Sequence, residues 1–323
     1  MLAVQTANQP AIGDFTSITR DLPAQPPRGS LRLRPLWLGL DPYIVPTIRG
    51  RHMGAPPIAA GAPLPGESLS QVLASSDPRF ASGDFVVGPS GWAEQAILAA
   101  DHVRKVDGKI AKAEHLGLLG MPGLTAWAGM MQLANVKPGD IVTIDAAAGI
   151  VGGTAGQLAR LAGARVVGIA GGPEKCRLVT ERYGFDDCID YHQPGWQDRL
   201  PENIAVHFEN VGQTVLDAII PRLKLYGHIV LCGLAQHYGD GSKATLPVGA
   251  LMGRRATVAG LIVYDFYPRL DEWVAFATPL LANGSLVEVE DIAEGLDVAP
   301  AHLLKVASGK AVGRALVHIQ SEA

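Results

Sequence analysis

A chain of 323 residues with 48% hydrophobic and 18% charged residues is long enough for two domains and has the balance of a folded protein. Its 27 Lys and Arg against 31 Asp and Glu leave a net charge of -4 with no basic run, which argues against nucleic acid as a partner. Three cysteines, Cys176, Cys188 and Cys232, are too few and too dispersed for a disulfide framework. The stretch "MLAVQTANQPAIGD" lacks the charged start and apolar run of a signal peptide, and no segment approaches membrane-spanning length. The expected location is the cytoplasm.

Residues 1 to about 116 are rich in Pro and Gly and read as short strands joined by turns. "SLRLRPLWLGLDPY" alternates apolar and polar positions like a half-buried strand. "GAPPIAAGAPLPGESLSQVL" is loop leading into strand, and "GDFVVGPSGWAEQAIL" reads as two strands around a turn. From about Gly117 the character changes. Apolar runs such as "DIVTIDAA", "ARVVGIAGG", "DDCIDY", "IAVHFENVG", "HIVLCGLA" and "TVAGLIVY" alternate with helical stretches such as "VGGTAGQLARLAG" and "PEKCRLVTERYG". That alternation predicts a doubly wound parallel α/β sheet over 117–284. Pro221 inside "TVLDAIIPRLKLYG" is a defect in the pattern that predicts a kink or an early start there. From about Ser285 the chain returns to the β-rich part, ending in the strand-like "RALVHI", so 1–116 and 285–323 form one domain. No internal repeat or low-complexity tract is present.

The glycine-rich turn after the first strand of such a sheet is where a dinucleotide pyrophosphate is cradled, in the pattern G-x-G-x-x-G. Here the match is Ala147-Ala148-Gly149-Ile150-Val151-Gly152, with alanine in the first glycine's place. Alone, this is equally a tight turn in a sheet that binds nothing. The tip of the next strand, Ala170-Gly171-Gly172-Pro173-Glu174-Lys175, carries no carboxylate of the kind that holds the ribose 2'-hydroxyl of NAD. It has instead Lys175 in a helix first turn, suited to a 2'-phosphate or, alternatively, an ordinary surface lysine.

Together "GMPGLTAWAGM", "AAAGIVGGTAGQLARLAGARVVGIAGGPEKC", "FENVG" and "LDPY" resemble the zinc-free branch of the medium-chain dehydrogenase/reductases, in the leukotriene dehydrogenase, prostaglandin reductase and alkenal double-bond reductase group. The resemblance implies a Rossmann domain with a β-rich GroES-like domain, NADP(H) as cofactor, a small electrophilic substrate and a homodimer. Carried over by motif, Gly149, Ile150, Val151 and Gly152 line the pyrophosphate, and Lys175 and Tyr191 hold the 2'-phosphate. Asn210 and the segment from Cys232 and Gly233 to Tyr238 flank the ribose and nicotinamide. Leu261, Ile262 and Val263 are expected as a strand beside the nicotinamide, where two subunits also pair. Where zinc relatives carry Gly-His-Glu, this chain has Pro65-Gly66-Glu67, and no histidine pairs with a cysteine at ligand spacing, so no metal site is expected.

Reducing an activated C=C bond requires hydride delivery to the β-carbon, a donor for the developing enolate oxygen and an acid for the α-carbon. The candidate phenols are Tyr43 of "LDPY" and Tyr238 of "CGLAQHY", with Tyr264 behind them; each could equally be a phenol packed at a domain boundary. His237 is either an acid or a solvated loop histidine, and Trp92 and Trp127 read as packing residues. The chain departs from its relatives by lacking a Tyr in "PVGALMGRRATVAG" and by reading Gly309-Lys310-Ala311-Val312-Gly313-Arg314 in place of a Gly-x-Asn-x-Gly-Lys pattern. The leading expectation is an NADPH-dependent 2-alkenal/enone reductase. The alternatives are a quinone reductase and a non-catalytic NADPH-binding protein.

Overall fold

The computed structural model describes residues 1, 10–54, 56–107, 113–239 and 241–320. It divides into two compact units, one formed by 1–116, 238–240 and 290–323 and the other by 117–237 and 241–289. No helix among the described residues is long and apolar enough to cross a membrane.

The first unit is built on β1 (Ser30–Gly39), which ends shortly before a five-residue helix, α1 (Ile44–Ile48). Leu31 and Leu33 of β1 are fully buried while Arg32 and Arg34, which alternate with them, are half-buried. One edge of β1 pairs antiparallel with β2 (Ser68–Ser75), which continues through β3 (Phe85–Gly88) to β5 (Arg104–Val106). Its other edge is shared: Ser30 to Leu33 pair with β4 (Ala96–Ala99), and Trp37 to Gly39 pair with a C-terminal strand. Pro35, which has no N–H to give, falls in the gap between those two partners and at a register shift against β2. The two strands read in "GDFVVGPSGWAEQAIL" are present as β3 and β4 but do not form a hairpin, since β3 pairs with β2 and β5 and β4 pairs with β1.

The second unit opens with α2 (Met121–Trp127), which runs on into a π-helical turn over Ala128–Leu133. The alternating elements follow: β6 (Ile141–Ile144), α3 (Ile150–Leu161), β7 (Arg165–Ala170), α4 (Pro173–Glu181), β8 (Asp187–Asp190), β9 (Ile204–Glu209), α5 (Gln213–Ile219) and β10 (Leu223–Leu231). Beyond them come α6 (Ala235–Tyr238), α7 (Val248–Arg254), β11 (Thr257–Gly260) and α8 (Leu270–Ala282). All six strands are parallel, in the order β8-β7-β6-β9-β10-β11, the doubly wound arrangement with its reversal between β6 and β9. α5 stops at Ile219, and a 3-10 turn over Ile220–Arg222 takes up Pro221. Trp127 and Trp273 lie in the core of this unit, with Arg269 stacked over Trp127.

The chain then returns to the first unit with β12 (Glu290–Glu294), α9 (Ala299–Ala307) and β13 (Arg314–His318). Arg314 is one of the largest fully buried side chains in the protein. Its guanidinium pairs with Asp41 at 2.5 Å and donates to the Leu40 carbonyl, and Gly39 has no side chain because Arg314 occupies that space. Glu67 is the third charge of this cluster. Burial and the neighbouring Asp41 push its carboxyl up from 4.5 to about 7, against the opposing pull of Arg314 and Arg104.

A carboxyl whose folded pKa lies above its unfolded one binds more protons folded than unfolded, so its destabilising effect develops as pH rises from about 4.5 through 7. Glu67→Gln should therefore raise the unfolding free energy read from denaturant melts by no more than about 1 kcal/mol at pH 5 and by up to about 3 kcal/mol at pH 8. Equal effects at the two pH values would show that Glu67 is not protonated on burial.

Candidate functional site

The reversal of strand order places the ends of β6 and β9 at the crevice where open parallel sheets take ligands. The chain leaves β6 through Asp145 and turns at Ala146, whose φ of 44° is left-handed, before Gly149 caps α3. The strained residue is thus Ala146, one position before Ala147, the residue aligned with the missing first glycine. Gly152 is fixed by close approach. A Cβ there would lie 2.6 Å from the Ala146 carbonyl oxygen and 3.0 Å from that of Asp145. Ile150, Val151 and Gly152 form the first turn of α3, whose amides point out of the helix with no partner inside it.

At the next strand end, Gly172 adopts φ 92° and caps α4, in whose first turn Lys175 lies. Tyr191 follows β8 directly, and its hydroxyl lies 2.8 Å from where a Gly171 Cβ would stand, so glycine at 171 is what admits the phenol. The phenol is 43% exposed and its ring meets His192 edge-on. The sequence reading had no carboxylate here, but Asp190 reaches in from β8. Its oxygens accept from the Gly172 amide at 2.7 Å, the His192 amide at 3.0 Å and Gln193 Nε2 at 3.1 Å. Those bonds hold its carboxyl below the usual range. Asp190 shapes the turn with oxygens already committed to donors.

A further group lies beneath the crevice that sequence reasoning did not single out. Asp145, His207 and Glu209 are all buried. His207 Nδ1 bonds Thr143 Oγ1 at 2.9 Å and its Nε2 bonds Glu209 Oε2 at 3.1 Å. Asp145 accepts from the Asn210 amide at 2.6 Å and from Asn210 Nδ2 at 3.1 Å. Glu209 accepts from the Val211 and Gly212 amides through its carboxyl, and from the Cys232 and Gly233 amides through its carbonyl. One residue therefore ties the loops after β9 and β10 together, and these carry Asn210, Cys232 and Gly233. Burial raises both carboxyls, repulsion from Glu209 raises Asp145 further, and burial lowers His207. The same surroundings push the Cys232 thiol up to about 12. The available signal was an acidic residue at the end of each of two apolar runs, in "TIDA" and "HFEN".

The remaining candidates are distributed as follows. Tyr43 precedes α1, half-buried, its ring stacked 5.1 Å from His52. Arg49, at the other end of α1, donates to the carbonyls of Tyr238 and Gly239 and so docks that segment in the first unit. Leu261, Ile262 and Val263 are not a strand. β11 ends at Gly260 because its partner β10 ends at Leu231, and after one last bond from the Leu261 amide to the Leu231 carbonyl the chain enters a 3-10 helix at Val263. Tyr264 is exposed there and stacks on Tyr267. His237 is engaged at both ring nitrogens, with Ser242 Oγ at 2.7 Å and the Gln213 amide at 3.4 Å, which fits a role in pinning α6 to α5.

Two family models match: the N-terminal domain of oxidoreductase over residues 1–106 and zinc-binding dehydrogenase over residues 151–282. A 2-alkenal reductase (NADP(+)-dependent) of Nicotiana tabacum is 34% identical over 309 residues, covering 92% of this chain and 90% of the relative. The chain belongs to the medium-chain dehydrogenase/reductase family. An NADPH-dependent curcumin reductase of Escherichia coli is 33% identical over 311 residues, covering 93% and 90%. The crystal structure of CurA from Vibrio vulnificus in complex with NADPH superposes with a TM-score of 0.93 at 33% identity, covering 99% and 98%.

The name of the second family model raises the question of zinc, and the two candidate sets among the described residues do not suit it. Glu67 stands in a Pro-Gly-Glu segment beside the Arg314 guanidinium, which disfavours a cation. Asp145, His207 and Glu209 bring ligand atoms within 4.8 Å of one another, but these atoms already hydrogen-bond one another and the backbone.

Gly152→Ala should test the cradle in this family member. The added methyl meets backbone and cannot be accommodated by a rotamer change, so stability should fall by about 1–3 kcal/mol. NADPH affinity should fall at least about tenfold, measured by fluorescence titration. Wild-type affinity in the folded variant would remove Gly152 from the cradle.

Proposed function

We propose that this chain is a cytoplasmic NADPH-dependent reductase that reduces the C=C bond of α,β-unsaturated aldehydes or ketones by hydride transfer to the β-carbon, without metal. The observation that carries the reading is the corner formed by Gly171, Gly172, Tyr191 and the first turn of α4 with Lys175, which suits a 2'-phosphate. The alkenal and curcumin reductases at 34% and 33% identity support the substrate class.

In this reading the first-turn amides of α3, at Ile150 to Gly152 behind Gly149, receive the pyrophosphate. Lys175 and the Tyr191 hydroxyl hold the 2'-phosphate. Asn210, Cys232 and Gly233, fixed by Asp145 and Glu209, line the ribose and nicotinamide side, with Leu261, Ile262 and Val263 beyond. When bound, the nicotinamide supplies the hydride and its ribose a hydroxyl donor. Tyr43 or Tyr238 donates a hydrogen bond to the substrate oxygen on which negative charge develops.

The test is NADPH oxidation by the purified protein with a trans-2-alkenal, a cyclic enone and a benzoquinone, repeated with NADH. Turnover of the alkenal with NADPH is expected, with kcat/KM at least about tenfold lower for NADH. Lys175→Ala should raise KM for NADPH by about 10–100-fold and leave NADH use almost unchanged. Equal use of both cofactors would overturn the reading of this corner. Turnover of the quinone alone would make the protein a quinone reductase, and tight NADPH binding without any turnover a non-catalytic binder.

The reading includes a homodimer. β11 is the edge of its sheet, and Val248 and Met252 on α7 are 66% and 73% exposed. Sedimentation at micromolar concentration should give a dimer that Met252→Glu weakens; a monomeric wild type would overturn it.

A further inference from the structure

Cys176 and Cys188 face one another across two elements of the second unit. Cys176 closes the first turn of α4 and Cys188 lies on β8. Their sulfur atoms are 2.6 Å apart, with the Cys188 thiol donating to Cys176. A covalent S–S bond is about 2.05 Å, so bond formation needs only about half an ångström of further approach. The core fixes this approach. Val179 shares a helix face with Cys176, is fully buried, and packs against Gly168, the residue paired with Cys188 in the β7–β8 ladder. Cys176 is partly exposed and Cys188 buried, which gives a small oxidant access to one sulfur and keeps the other in reserve. Cys232 lies apart, after β10.

We propose that Cys176 and Cys188 are a reversible dithiol–disulfide site, oxidised by a hydroperoxide, that staples α4 to β8 beside the corner holding Lys175 and Tyr191. Cys176, whose thiol is pushed up by burial, loses its proton as its sulfur attacks the terminal peroxide oxygen, breaking the O–O bond and giving a sulfenic acid and hydroxide or alkoxide, which takes up that proton to leave as water or alcohol. The Cys188 sulfur, giving up its proton, then attacks the Cys176 sulfur and displaces the sulfenic oxygen as water. Two thiol hydrogens and two electrons pass to the peroxide, and one S–S bond forms. A dithiol reductant reverses the step. Lys175 adjoins Cys176 and Tyr191 follows Cys188 by three residues, so the bond fixes the spacing of the two elements that carry them. Because little movement is needed, the oxidised corner keeps its shape and loses its local openings.

The disulfide itself rests on packing alone; only its consequence for NADPH rests on the function proposed above. The test treats the full-length reduced protein, under native conditions, with one equivalent of hydrogen peroxide, followed by thiol counting, intact mass and peptide mapping. Two of the three thiols should disappear with loss of two hydrogens and no added oxygen, and the mapped link should join Cys176 to Cys188. Dithiothreitol should restore all three. The oxidised protein should melt about 2–5 °C higher and bind NADPH within about threefold of the reduced form. Cys188→Ser should stop at a Cys176 sulfenic acid, trapped by dimedone. Three surviving thiols, a sulfinic acid without a cross-link, or a link through Cys232 or between molecules would overturn the site. A correct link with more than about tenfold loss of NADPH affinity would overturn the shape-preserving staple. Failure of the link leaves the reductase reading intact, and absent turnover leaves the link intact.

Discussion

Two buried carboxyl groups at neighbouring strand ends hold the crevice of the second unit in shape. Asp145 follows β6 directly, Glu209 ends β9, and the two strands are neighbours at the point where the strand order reverses. Their oxygens take up the amides of Asn210, Val211 and Gly212, while the Glu209 carbonyl takes those of Cys232 and Gly233. Loop amides next to a ligand crevice would otherwise face one another unsatisfied, at a cost of about 1–3 kcal/mol each. Satisfying them from below leaves the upper surface of the loops free to meet a ligand.

The first unit uses the same device with opposite bookkeeping of charge. Arg314 is buried with Asp41 and the Leu40 carbonyl meeting its donors, and Glu67 nearby is raised by burial and Asp41 against the opposing pull of Arg314. The pair joins the C-terminal strand β13 to the end of β1, so the last part of the chain closes the sheet that the first part began. In both units, then, a buried ionisable residue sits at a strand end and determines the course of the loop that follows.

The glycines divide into two kinds with different physical causes. Gly172 lies at φ 92°, a conformation that side chains rarely adopt. Gly152 and Gly171 have ordinary backbones and are small because another group comes too close: a carbonyl for one, the Tyr191 hydroxyl for the other. Ala146 shows the converse, a left-handed residue that is not glycine and that turns the chain out of β6.

The alternation of apolar runs with helical stretches was enough to predict the parallel sheet, because strands covered on both faces must be apolar throughout; Pro221, read as a kink or an early start, falls in a 3-10 turn because its ring forbids the continuing helical hydrogen bond. The small-residue turn, Lys175 in a helix first turn and Tyr191 at a strand end were likewise legible, since each depends on local sequence. What local sequence does not carry is pairing across the fold. Leu261 to Val263 read as strand by composition, but the ladder ended with β10. Asp190 entered a strand tip that its own segment did not include, and Asp145, His207 and Glu209 became one group only when β6 and β9 were laid side by side. The meeting of Cys176 with Cys188 was decided in the same way, by the docking of a helix on a sheet. The sequence by itself determined the elements and the chemistry available on each. Which of those groups share a hydrogen bond, a carbonyl or a packing contact was settled by tertiary packing alone, because such interactions fall off within a few ångströms and depend on distances that only the folded chain sets.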